Sequence, residues 1–182
     1  METQNNKTKW VLDPTHSDIQ FKIKHLLIST VTGQFNTFEG AIETEEDDFK
    51  TSTAHFSADI NSISTNNEQR DAHLKNADFF DAATYPQLSF ETERTEKVDE
   101  ENYKLHGIFT LKGVSKKIIL DAELGGITQD PWGNTRVGFS VNGKINRKDF
   151  GVSFGLAEAG GVALGDEVKM LVNAQFVKQK VA

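Results

Sequence analysis

The chain has 182 residues, 20 basic and 27 acidic side chains, a formal net charge of −7 and no cysteine. That length suits one domain with a real core, and a hydrophobic fraction of 37% argues against disorder. No window reaches the ~18 uninterrupted apolar residues of a spanning helix, so no stable membrane insertion is expected. The acidic balance argues against nucleic acid, whose phosphates need clustered Lys and Arg. Lack of cysteine removes disulfides, thiol nucleophiles and thiolate metal sites.

METQNNKTKWVL has no apolar signal region, which predicts a cytoplasmic protein, or a periplasmic one if a leader has been trimmed away. Residues 1–8 are expected to be a flexible N-terminus, 9–178 a single domain, and 179–182 a tail. From there period-two alternation dominates. Ile19, Phe21 and Ile23 alternate with Gln20, Lys22 and Lys24. The charged stretch 43–50 suits a hairpin end. In 51–61, Ala54, Phe56, Ala58 and Ile60 share one face, and Thr53, His55, Ser57 and Asp59 the other.

Residues 62–80 break the pattern. Asn66 or Asn67 can cap a helix of about two turns through EQRDAHLK, with Leu74 its main apolar residue. Strand signals resume at PQLSF, and 93–102 reads as another charged hairpin end. Leu105, Phe109 and Leu111 then oppose Lys104, His106 and Lys112. DPWGN at 130–134 is a turn. Beyond it, Val137, Phe139, Val141 and Ile145 share a face, as do Val168, Met170, Val172, Ala174 and Phe176. Between those strands, 149–166 carries five glycines and no period, and reads as a long loop.

One apolar and one wet face, repeated, defines an all-β protein with an antiparallel sheet around a single interior. Closure into an eight-stranded β-barrel with one short inserted helix removes exposed edges. Such a barrel is either filled or holds one small ligand. Ala54, Ala58, Gly107, Ala122 and Ala174 are poor fillers, which favours a space. Phe21, Phe56, Phe90, Phe109, Phe139 and Met170 are the candidate cavity wall by alternation phase. Arg70 and Asp71 either pair and seal a barrel end, or Arg70, with His73, meets the polar head of a ligand whose tail lies inside.

Catalytic signals are thin, and a non-enzymatic protein is expected. The five histidines form no H-x-x-x-H pair, so no metal is expected; His55 and His106 fall on polar strand faces. DPTHSD at 13–18 holds Ser, His and Asp, but adjacency in sequence is not triad geometry. The glycines of 151–165 lack a dinucleotide or P-loop pattern.

Several motifs together carry a family resemblance: D-P-x-H-S at 13–17, R-D-x-H-L at 70–74 followed by F-F-D and Y-P-x-x-S-F, L-x-G-x-x-T-L-K-G-V at 105–114, INRKDFGV, and the closing GDEVKMLVNAQF. From residue 10 to about 178 the chain resembles the YceI-like family. The resemblance implies a lipocalin-like barrel that binds long amphiphiles, polyisoprenoids in particular.

Burying hydrocarbon is worth about 0.8 kcal/mol per CH₂, so ten carbons supply roughly 8 kcal/mol before entropic losses. A dry, Phe-lined tube then suffices without a catalytic group. The expected function is binding, storage or transport of a long-chain lipid, a polyisoprenoid or isoprenoid quinone, with no other cofactor. The alternative is a ligand-free, stress-related protein-interaction module with a filled barrel. A homodimer through the 149–165 region stays open.

Overall fold

A computed structural model describes residues 7–25, 29–152 and 164–179. Most of the expected flexible N-terminus, most of the glycine-rich 149–166 segment and the end of the tail lie outside the described residues. The strands are β1 (Lys7–Leu12), β2 (Asp18–His25), β3 (Ser29–Phe35), β4 (Phe38–Glu45), β5 (Asp48–Asp59), β6 (Ile63–Ser64), β7 (Gln87–Lys97), β8 (Asn102–Leu111), β9 (Val114–Gln129), β10 (Thr135–Asn146) and β11 (Leu164–Lys178). One helix, α1 (Glu68–Lys75), lies between β6 and β7.

These eleven segments make eight staves. β1 and β2 are halves of one bent strand, since both pair with β11, through Leu12↔Phe176 and Asp18↔Asn173. β3 and β4 are halves of the next, pairing with β2 and β1 respectively. β6 extends β5 to reach β3. β4, β5, β7, β8, β9, β10 and β11 then neighbour one another in turn, and the β1–β11 pairing closes the ring. Every pairing is antiparallel and joins staves adjacent in sequence, except at the closure, where the last stave meets the first and leaves no open edge among the described strands.

The bend between β1 and β2 has a local cause. Asp13 accepts from the Thr15 amide at 3.0 Å, and Pro14 opens the turn that follows. The Ser17 hydroxyl donates to the Asp13 carbonyl at 2.7 Å and accepts from the Gln175 amide at 2.9 Å. The D-P-x-H-S motif is thus a clamp between staves, with Ser17 turned to backbone and His16 bonded to Asp13 at the surface. The β8–β9 hairpin turns in two residues, Lys112 and Gly113, with φ of 52° and 75°. A Cβ on Gly113 would also sit 2.6 Å from the Tyr85 ring, so the glycine is needed for φ and for space.

Alternation sorts the faces as expected, and the inward phase of β5, β8, β10 and β11 builds the interior. Two expectations shift in extent. Of the charged stretch 43–50 only 46–47 are left for the turn, and of 93–102 only 98–101. Charge on the outer face is compatible with pairing, because Glu96 meets His106 across β7 and β8 at 3.1 Å.

The two ends of the barrel differ. At the base, Trp10, Ile42, Phe49, Tyr103, Ala122 and Val137 form one buried cluster. Toward the opposite end, α1 and the 60–86 connection cover a larger cluster that includes Ile60, Phe79, Leu88, Phe109 and Phe150.

Candidate functional site

The interior is not filled. A cavity of about 290 Å³ occupies the half of the barrel under α1. A second, of about 100 Å³, lies in the half toward the base. Phe21, Phe109 and Met170 line the upper one, and Phe56, Phe90 and Phe139 the lower one. All six candidate wall residues therefore face interior space, but in two groups. The sequence suggested one tube; among the described residues the two linings have none in common.

The lower cavity is apolar in effect. Its polar atoms on β5 and β7 satisfy each other: the Thr95 hydroxyl donates to the Ser52 carbonyl at 2.8 Å and accepts from the Ser52 hydroxyl at 3.2 Å. Apolar cavities of this size stay dry. By the mutational cost of cavity volume, an empty ~100 Å³ lowers stability by on the order of 2 kcal/mol. Small residues keep this space, namely Ala54, Ala122 and Ala174.

Helix α1 sets the polar fringe of the upper cavity. Asn67 caps it by accepting from the Arg70 amide at 3.0 Å, and Glu68 and Asp71 sit in the first turn, where the helix dipole favours acids. No residue of the helix is fully buried, so it is held by Leu74, partly buried against the core, and by hydrogen bonds to the segment just before it. Thr65, buried at 4% exposure, is their centre. Its amide and hydroxyl both donate to the Asp71 carboxylate, at 2.8 and 2.6 Å. Arg70 donates from Nε to the Thr65 hydroxyl and from Nη2 to the Thr65 carbonyl, both at 2.7 Å. Arg70 and Asp71 thus converge on Thr65, with no ion pair between them among the described residues. Two of the five guanidinium N–H donors are engaged in this way.

Arg70, His73 and Leu74 share the helical face that looks onto the cavity, as i, i+3 and i+4 neighbours do. His73 stacks edge-on against Phe79 with ring centroids 4.9 Å apart and lies 3.4 Å from Asp78. Both head-group candidates therefore stand at the cavity's polar fringe.

Two further polar residues of this fringe escaped the sequence reading, Thr65 and Arg147. Arg147 is 3% exposed and lines the upper cavity. It donates from Nε to the Gly165 carbonyl and from Nη1 to the Val152 carbonyl, each at 2.9 Å. Burial pulls its pKa below the ordinary arginine value, against the opposing pull of the Asp166 charge. A signal existed: Val137, Phe139, Val141, Gly143 and Ile145 face inward, and the same phase lands on 147.

At the base, charge serves structure. Arg136 donates from Nη1 to Asp13 and from Nε to Asp130, both at 2.8 Å. The Arg136 guanidinium, helped by the Thr15 hydroxyl, holds the Asp13 carboxyl well below the usual range. The same guanidinium, with the Asn134 and Trp132 donors, brings Asp130 down to about 2. Among the described residues, no three His, Asp or Glu side chains gather as a metal ion would need, and no helix is long and apolar enough to cross a membrane.

A closed antiparallel barrel with an apolar interior and a polar fringe at one end defines a binding-protein architecture. The chain belongs to the YceI-like family: the YceI-like domain profile matches residues 10–176. It is 40% identical over 171 residues to a UPF0312 protein of Staphylococcus aureus strain N315, covering 93% of this chain and 97% of that one. A UPF0312 protein of Pectobacterium carotovorum is 38% identical over 165 residues, covering 91% and 83%. Among solved structures, the Campylobacter jejuni YCEI protein superposes with a TM-score of 0.74 at 34% identity, covering 86% of this chain and 90% of that one. A domain from Saccharophagus degradans described as polyisoprenoid-binding superposes with a TM-score of 0.70 at 18% identity, covering 93% and 98%, a likeness of fold alone.

Proposed function

We propose that this protein binds, stores or carries a long-chain amphiphilic lipid of isoprenoid type, with the tail in the barrel and the polar head beside α1. The observation that carries the proposal is the unfilled, Phe-lined upper cavity of about 290 Å³, fringed at one end by Arg70, His73, Thr65 and Arg147. An apolar cavity with a few convergent polar groups is the form of a ligand site. The description of the Saccharophagus domain supports the isoprenoid class. Binding needs no reaction: apolar burial supplies the free energy, and the remaining Arg70 donors orient a head that accepts hydrogen bonds. A ligand-free interaction module would be better served by a filled barrel, which these cavities disfavour.

The test is native mass spectrometry of protein purified from its own host, then lipid extraction and titration with a fluorescent long-chain probe. A co-purifying isoprenoid lipid and saturable probe uptake are expected. A lipid-free protein that takes up no probe would defeat the proposal.

A further inference from the structure

We propose that the waist between the two cavities is a movable partition that sorts ligands by tail length, and that Leu120 is the residue that gives way. The inference rests on the lipid-binding reading above and adds to it what sets the length of tail accepted.

The waist is built by cross-strand register. Gly33, Gly107 and Gly143 occupy inward positions on β3, β8 and β10, and a large side chain from the adjacent strand covers each. Phe21 lies over Gly33, Phe90 over Gly107 and Leu120 over Gly143. A Cβ on Gly107 would meet Phe90 Cζ at 2.6 Å, and one on Gly143 would meet Met170 Cε at 3.7 Å. Phe21 and Met170 belong to the upper lining, Phe90 and Leu120 to the lower. The linings adjoin at Gly143, where Leu120 of the lower one and Met170 of the upper one, itself paired with Phe21 across β2 and β11, stand side by side.

The four side chains do not hold their places equally. The Phe21 ring also packs on Phe35, with centroids 5.6 Å apart. Phe90 is 4% exposed, and the Glu91 carbonyl closes the same hollow over Gly107. At Gly143 the hollow is filled mainly by the end of Leu120, a flexible chain, with the Met170 terminus next to it. Met is the most adaptable of core residues. The space that Leu120 needs in order to turn away is the lower cavity it already lines. The upper cavity is at the bottom of the roughly 300–1,000 Å³ range of drug-sized sites. A tail that outgrows it must displace Leu120 into or along the lower cavity, or stay in water.

The experiment measures dissociation constants of linear prenyl alcohols of ten, fifteen and twenty carbons, by displacement of a fluorescent fatty-acid probe. The native protein is compared with Leu120→Phe, which plugs the waist, and Ala174→Leu, which fills the lower cavity from another strand. In the native protein each five-carbon unit should tighten binding about tenfold or more. In both variants the ratio of twenty-carbon to ten-carbon affinity should fall by at least about tenfold. Ala174→Leu keeps the test sound if Leu120→Phe does not fold. A length dependence identical in the native protein and in Ala174→Leu would overturn the partition while leaving lipid binding intact. Failure of every alcohol to bind the native protein would instead defeat the lipid-binding reading, and the partition with it.

Discussion

The base of the barrel and its mouth are made of the same alternating strands, yet they spend their residues differently. At the base, the turns at 46–47 and 130–134 are short, Trp10 and Val137 are fully buried, and Arg136 ties Asp13 to Asp130. At the mouth, the connection from Ile60 to Pro86 carries a helix without a buried residue, and the space below is open. Tight packing and unoccupied volume oppose each other within any one layer. The chain grades them along the barrel axis, with about 290 Å³ of space under α1 and only about 100 Å³ toward the base.

The largest expected effect breaks the base. Trp10→Ala removes a side chain 1% exposed that stacks on Phe49 at 5.3 Å. It should cost about 3–5 kcal/mol in urea unfolding. Trp10→Phe should cost clearly less, because the Trp10 Nε1 has no hydrogen-bond partner to lose.

Next come two substitutions of one chemistry at two kinds of place. Ala58 is 1% exposed and lines neither cavity, whereas Ala174 is 5% exposed and borders the lower one. Ala58→Leu should lose about 1–3 kcal/mol through overpacking. Ala174→Leu should stay within about 1 kcal/mol of the native protein, because its added carbons enter empty volume. Urea midpoints of the two, measured side by side, check whether the lower cavity is real room.

Acid should separate the two ends again. Asp13 and Asp130 titrate below the ordinary carboxylate range in the folded protein, Asp130 at about 2. Their contribution is therefore complete above the unfolded carboxylate pKa of roughly 4 and is lost as pH falls toward 2. The thermal midpoint should drop across that window. Arg136→Met should flatten the drop, because the partner that depresses both carboxyls is gone.

How much of this the sequence disclosed follows from the range of the forces involved. Alternation is local, so the faces of β2, β5, β8, β10 and β11 could be read directly, and the start of α1 was marked by Asn66 or Asn67, of which the structure uses Asn67 as the cap. β9 was not singled out as a strand: it turns Ile119 outward, at 52% exposure, a bulge near Gly125 breaks its phase, and Ile127 beyond the bulge is 51% exposed although it pairs with buried Val137. The division of the interior was hidden for a different reason. Whether Gly143 is a gap or a socket for Leu120 depends on how β9 and β10 pair, which no single strand records. The six wall candidates could be assigned to the inside, but not to one cavity or the other. Thr65 and Arg147 were missed because buried polar groups are recognised by partners that only the fold supplies.

The smallest expected effect on stability belongs to the mouth. Arg70→Lys keeps the charge but loses the fork that grips Thr65. The Thr65 amide and hydroxyl still reach Asp71, and its carbonyl loses the Arg70 Nη2 donor. One lost hydrogen bond at a part-buried position should lower stability in urea unfolding by about 1 kcal/mol. If Arg70 orients a lipid head, the same substitution should weaken an anionic-headed probe, such as a fluorescent prenyl phosphate, about tenfold. A neutral probe of equal tail length should be weakened far less. Equal loss for both probes would assign Arg70 to holding α1 in place, and leave Arg147 and His73 to meet the head.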